Sequence, residues 1–255
     1  MPEMPGFRII PSLLLKDKGL VKGVNFSNYK YVGDPINAVR IFNDKKVDEL
    51  FFFDISATEE NREISFSLIE KLANECFMPF AVGGGINSIE YISKLIKLGV
   101  EKVSINTHAV ENPNFISKCA GIFGSQAIVV SIDVIKNNNG KYNIVTNSGK
   151  KKQGVCPLDH AKIMEQKGAG ELVVTSIDKD GTQNGYDKEL ISMITEAVSI
   201  PVIAGGGAGE LNHFVELHKE LNVSAATAGS FFVFHGKLNA VLISYPTKAQ
   251  LRSLI

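Results

Sequence analysis

The chain has 255 residues, 44% hydrophobic and 21% charged, with 27 basic residues against 27 acidic ones. That composition is globular rather than disordered, and a zero net charge supplies no global basic field to hold nucleic acid or an anionic membrane. No apolar run approaches the ~18 residues that span a bilayer, Met1–Arg8 lacks a signal-peptide pattern, and Cys76, Cys119 and Cys156 are too few and too scattered for a disulfide framework. The chain reads as folded, soluble and cytoplasmic.

Short apolar runs alternate with longer amphipathic ones from end to end. The spacing predicts strands at Arg8–Leu15, Val47–Ile55, Phe77–Val82, Lys102–Asn106, Ala127–Val134, Glu171–Ile177, Pro201–Ala204 and Ser224–Ala228. Helical patterns fall between them at Ile36–Lys45, Asn61–Glu75, Ile89–Leu98, Pro113–Phe123, Leu158–Lys167, Lys188–Ala197 and Leu211–Leu221. Gly33-Asp34-Pro35 and Asn112-Pro113 are helix-opening signals. Eight strands alternating with helices imply a parallel sheet, either closed as a (β/α)8 TIM barrel or open and doubly wound. An internal repeat favours closure. Pro79–Ile86 matches Pro201–Ala208, and Phe51–Ile55 matches Val173–Ile177, both at an offset of 122, while Ile10–Leu15 lies over Val129–Val134 at 119. Two similar halves of four βα units make one barrel spanning residues 1–255 as a single domain. Two connections, Lys16–Val32 and Ile135–Val155, exceed ordinary length and follow the C-termini of the first and fifth strands, where barrel active sites assemble.

The two Gly-Gly-Gly turns, Gly83–Gly85 and Gly205–Gly207, follow equivalent strands. Glycine lets backbone N–H groups approach a ligand, and phosphate is the usual ligand of such turns in a barrel. Asn106-Thr107 and Gly229-Ser230, one unit later in each half, are placed to complete two cradles, and Asp180-Gly181-Thr182 offers a third phosphate-facing turn. The symmetry suggests a small molecule with a phosphate at each end; the plain alternative is that these glycines only permit tight turns. Asp133 ends an apolar strand and is expected to project into the barrel mouth as a general acid or base, the plain alternative being a strand-end carboxylate that organises a loop. Its repeat partner is Leu14, which cannot transfer a proton. At the opposite face Arg8, Glu49, Lys102 and Glu171 open their strands with charges of mixed sign. Taken alone they read as scattered surface pairs. The five histidines show no metal-ligand spacing and there is no Cys-x-x-Cys, so neither metal nor cofactor is expected. Lys150-Lys151-Lys152 reads as a solvated loop, and the Cys156/His160 spacing is too common to argue for a nucleophile.

From Arg8 to about Phe234 the chain resembles the cyclase subunit of imidazole glycerol phosphate synthase. The resemblance is carried by Arg8–Pro11, Val21–Phe26, Val82–Ile86, Val103–Thr107, Phe123–Gln126, Thr175–Asp178, Asp180–Thr182 and Gly206–Gly209. It implies a barrel that takes ammonia from a separate glutaminase docked at the strand N-terminal face, forming a heterodimer. In the family the ammonia reacts at the other face with a ribulosyl bisphosphate intermediate. Two catalytic aspartates are implied at Asp133, which is present, and at Leu14, where the carboxylate is missing. Phosphate-binding positions fall on Gly85, Asn106, Thr107, Asp180, Gly181, Gly207, Gly229 and Ser230, a supporting lysine on Lys22, and a charged ammonia gate on Arg8, Glu49, Lys102 and Glu171. Ser12 and Gly205 depart from the family pattern, while Ser12–Lys22 and Tyr31–Arg40 look like a paralogous branch associated with acetamidino modification of bacterial surface sugars. That branch implies ammonia supply to a separate sugar amidotransferase. A true cyclase, and a binding module that regulates the glutaminase without chemistry, are the other readings.

Overall fold

The computed structural model describes residues 6–221, 223–236, 238–247 and 249–250. The outermost ends of the expected 1–255 domain, and the first five residues of the stretch read for a leader, lie outside the described residues. Eight parallel strands form the barrel: β1 (Arg8–Lys16), β2 (Leu50–Asp54), β3 (Phe80–Gly83), β4 (Lys102–Ile105), β5 (Ile128–Lys136), β6 (Glu171–Ser176), β7 (Val202–Gly205) and β8 (Ala225–Ala228). Each pairs with the next, and β8 returns to β1 through Arg8↔Ala225. The eight parallel strands close on themselves, so the doubly wound alternative is excluded. Seven crossover helices cover it: α1 (Pro35–Lys45), α2 (Phe66–Glu75), α3 (Ile89–Lys97), α4 (Pro113–Phe123), α5 (Pro157–Gln166), α6 (Lys188–Thr195) and α7 (Leu211–Glu220).

Local chemistry sets the helix starts. Asp34 accepts from the Asn37 amide with Pro35 just inside α1, and Asp187 accepts from the Leu190 amide to open α6. The pattern that predicted a helix from Asn61 starts instead at Phe66, because Asn61 is left-handed at φ 49° and Ser65 is the extended N-cap. The second strand is shorter than expected, beginning at Leu50 rather than Val47.

Alternation along the strands divides the apolar residues between two cores. Phe42, Ile69, Leu95, Ile116, Met164, Ile194 and Phe214 pack between helices and barrel. Inside the barrel a separate layer holds Ile10, Phe51, Ala81, Val129, Val173, Ile203 and Ala225, each 2% exposed or less. Two residues further along their strands come Ser131, Thr175 and Thr227, and beside them Ser104, whose hydroxyl lies 2.6 Å from that of Ser131. The interior therefore changes from apolar to hydroxyl-lined toward the strand C-termini.

The two long connections are not irregular loops. Gly19–Val24 and Ser27–Gly33 form an antiparallel hairpin turning through Asn25 and Phe26, both at positive φ as a two-residue primed turn requires. The second connection extends β5 into a hairpin with Tyr142–Thr146, followed by Lys151–Lys152, so the lysine run is partly strand. Asn25 donates through its backbone N–H to Asp180 O (2.9 Å) and through Nδ2 to Ile177 O (2.8 Å). In the other direction the Ser148 hydroxyl donates to Ile55 O (2.5 Å). Each hairpin thus crosses the mouth and bonds to the opposite half.

On α5, His160 is 3% exposed and its Nε2 has no hydrogen-bond partner. Burial pushes its pKa down to about 4 from 6.5. The unfolded chain therefore takes up this proton first, so stability is full above pH 6.5 and is lost as pH falls toward 4, by at most about 3 kcal/mol. Equilibrium denaturation at pH 7.5 and 4.5 should show this loss for the wild type and a smaller one for His160→Leu; equal losses would refute it.

Candidate functional site

The β-strand C-termini and the turns after them surround a cleft of about 410 Å³. Asp133, Lys22, Gly85, Asn106, Thr107, Asp180, Gly181, Gly207, Gly229 and Ser230 all line it, together with Leu14. Residues more than 200 positions apart in sequence are brought to one cavity by barrel closure.

Asp133 projects from β5, and Asn106 Nδ2 donates to its Oδ2 at 2.8 Å. Burial is the main cause that drives its pKa from 3.8 up to about 7, Asp180 adds to the rise, and the Asn106 hydrogen bond opposes it. Near neutral pH this group is thus poised to give or take a proton. Leu14, on β1, presents only hydrocarbon to the same cleft. Lys22 is buried on the first hairpin with Nζ 3.6 Å from Asp180 Oδ1, so the ammonium has a partner at the cleft wall. A Cβ at Gly229 would lie 2.1 Å from Lys22 Cε, so the absence of a side chain there leaves the lysine its place.

In the second half of the barrel, Gly229 leads into a short helical turn, Ser230–Val233, and the Ser230 hydroxyl is buried without a partner. In the first half the equivalent turn is Thr107–Glu111 after Asn106, whose Oδ1 is likewise buried and unpartnered. These short turns were not legible as helices in the sequence. Two orphaned buried oxygens thus sit at equivalent turns of the two halves beside the cleft and leave hydrogen-bonding capacity for a polar ligand, since such groups are ordinarily satisfied. The Gly85 amide donates to the Thr58 hydroxyl at 3.2 Å.

Sequence reasoning missed Asp54, Arg62 and Tyr29. Asp54 ends β2, accepts from the Ser56 and Ala57 amides, and is paired with Arg62 Nη1 at 2.7 Å at the cleft edge. The signal was available: Asp54 is a lone carboxylate ending an apolar strand, the feature that singled out Asp133 in the sequence, although β5 runs on past Asp133 to Lys136. Tyr29 comes from the first hairpin and lines the cleft. Burial and then the charges of Asp180, Asp133 and Glu59 push its phenol up to about 12, so it stays protonated.

At the other mouth Arg8, Glu49, Lys102 and Glu171 form a closed ring of four ion pairs. Arg8 reaches Glu49 at 2.5 Å and also pairs with Glu171, and Lys102 reaches Glu49 at 2.8 Å and Glu171 at 3.0 Å. The carboxylates are the more deeply buried partners. Reading these four as scattered surface pairs is therefore wrong. In the connection between α2 and β3, Phe77 is 86% exposed and its amide donates to Asn43 Oδ1 at 3.0 Å. Among the described residues no group of three His, Cys, Asp or Glu side chains is arranged to hold a metal ion, and no helix is long and apolar enough to cross a membrane.

The architecture is that of a duplicated (β/α)8 barrel with a polar-lined cleft at one face and a ring of four ion pairs at the other. The chain belongs to the histidine biosynthesis protein family, whose profile matches residues 8–239. It is 51% identical over 239 residues to a Pseudomonas aeruginosa protein provisionally named imidazole glycerol phosphate synthase subunit hisF2, covering 94% of this chain and 95% of that one. It is 45% identical over 225 residues to the imidazole glycerol phosphate synthase subunit HisF of Bacillus cereus, covering 88% and 89%. The corresponding subunit of Alkaliphilus metalliredigens is 44% identical over 228 residues, covering 89% and 90%.

Proposed function

We propose that this chain is the barrel subunit of a glutamine-dependent complex, receiving ammonia from a glutaminase at the charged mouth and passing it to the cleft, in the service of acetamidino-sugar synthesis by a sugar amidotransferase. The observation that carries the reading is a pairing of features: four charges join into one ionic ring at the strand starts, while Leu14, the repeat partner of Asp133, has no carboxylate. A chain that only bound a ligand at the far face has little use for such a ring, and a cyclase has little use for Leu14. Phe77, exposed in the connection that leads into the N-terminal end of β3, supplies an apolar anchor for the glutaminase.

In this reading the ring excludes water and parts for neutral ammonia on docking. Gly85, Asn106 and Thr107 hold one phosphate of a phosphorylated small molecule, and Gly207, Gly229 and Ser230 hold the other. Asp180 and Gly181 shape the turn between them, Lys22 neutralises charge, and Asp133, oriented by Asn106, holds or releases a proton. A genuine cyclase of histidine biosynthesis is the second reading, favoured by the pKa of about 7 at Asp133.

The test is reconstitution of the full chain with a glutaminase and a sugar amidotransferase from the same genome. Glutamine-driven amidation that requires this chain is the expected result; its absence, with cyclase turnover in its place, would establish the second reading. Phosphate binding is tested separately. Ribulose 1,5-bisphosphate at 100 times its dissociation constant should stabilise the fold by about 2.7 kcal/mol, a rise of roughly 5–10 °C in melting temperature. No shift at millimolar ligand would show that the cradles do not bind bisphosphates.

A further inference from the structure

The ionic ring and the cleft are separated by the apolar layer inside the barrel, and that layer contains a single aromatic ring. Phe51 is fully buried there, pointing inward from β2 two residues beyond Glu49 of the ionic ring. Two residues further, Phe53 also points inward and lines the cleft floor, its ring centroid 5.6 Å from that of Phe51 at an interplanar angle of 70°. Space for Phe53 is held open by Gly83, where a Cβ would lie 2.7 Å from the Phe53 ring. Of the side chains in the apolar layer, only Val173 also borders the cleft, so the cavity ends at this layer and does not reach the ionic ring.

We propose that Phe51 is a second closure of the barrel axis, an apolar valve that sets which species crosses and couples delivery to the movement of one ring. The proposal rests on the ammonia-delivery reading above. A packed interior leaves few voids larger than a water molecule, and ammonia is about that size, so transit through this layer requires the largest side chain in it to move. The layer contains no polar side chain, so an ammonium ion crossing it loses its hydration with no partner in return, whereas neutral ammonia forfeits far less. Above the valve, Ser104, Ser131, Thr175 and Thr227 supply hydroxyls to a molecule that has passed. The ionic ring is thus the outer door, and Phe51 sorts neutral from charged.

The experiment compares Phe51→Trp and Phe51→Val with the wild type in the reconstituted complex with glutaminase and amidotransferase. Each is driven once by glutamine and once by external ammonium, which enters the amidotransferase without crossing the barrel. Phe51→Trp should lower glutamine-driven amidation tenfold or more, Phe51→Val should leave it equal to or above wild type, and ammonium-driven rates should match throughout. Circular dichroism checks the fold; if the tryptophan does not fit, Phe51→Tyr, longer by one hydroxyl, takes its place as the larger side chain. Opposite responses to the larger and smaller side chains are the signature of a valve, because loss of packing would impair both variants alike. A wild type that couples, with both variants unchanged or both equally impaired, overturns the valve alone. A wild type that shows no glutamine-driven amidation overturns the delivery reading and the valve with it.

Discussion

Leu14→Asp is expected to raise cyclase turnover of the ribulosyl bisphosphate intermediate with ammonium salts by ~10²–10⁴-fold, the usual contribution of one positioned acid or base. Leu14 lines the same cleft as Asp133, so a carboxylate at position 14 would supply a second proton-transfer group at the repeat-equivalent position, where only hydrocarbon now stands. The wild type should show only slow residual turnover. An alkaline assay suits the measurement: above pH 7 Asp133, with its pKa pushed up to about 7, is mostly ionised, and free ammonia is more abundant. If the wild type turns over within tenfold of an authentic cyclase, Leu14 has not removed the activity and the histidine reading stands. If Leu14→Asp folds, binds the bisphosphate and gains nothing, a further element of the cyclase site is missing.

Breaking the ionic ring should separate glutamine hydrolysis from amidation. In Lys102→Ala, Glu49 and Glu171 each lose one of two cationic partners, and the opening widens on the side away from Arg8. The ratio of amidated product to glutamate formed should fall several-fold in the reconstituted complex, with the fold retained because both carboxylates keep Arg8. Glu49→Ala is the harsher change. It removes a carboxylate only 3% exposed that bridges two cations, and removing one partner of a buried pair costs about 3–5 kcal/mol; thermal unfolding should reveal it as a drop of roughly 6 °C or more. A Lys102→Ala complex with unchanged product ratio and unchanged glutaminase rate would remove the gate assignment.

The barrel itself was legible because its signals are local and repeated. Apolar runs of strand length, helix-opening residues such as Asp34-Pro35, and the offset of 122 between the two glycine-rich halves each survive without knowledge of the third dimension. The hairpins were not legible. The first turns on Asn25-Phe26, and a phenylalanine at φ 56° contradicts the residue preferences by which such turns are recognised. Its stability comes from the Asn25 bonds to Ile177 and Asp180, more than 150 residues away. The late start of α2 has the same cause: Asn61–Ser65 carries a helical pattern, but Asp54 and Arg62 hold that stretch as a turn at the cleft edge.

By itself the sequence determined that the chain is a duplicated α/β barrel and that Leu14 occupies a position where its repeat partner carries a carboxylate. These properties depend on residue type and spacing, which strand alternation converts directly into a face. Only the tertiary structure decided that four charges at separate strand starts form one closed ring, that burial and Asp180 raise the pKa of Asp133 to about 7, and that Phe51 packs in the apolar layer between ring and cleft. Each of these depends on distances between strands that meet through barrel closure, and on the loss of water at those meetings, and neither is encoded in the spacing of residues along one strand.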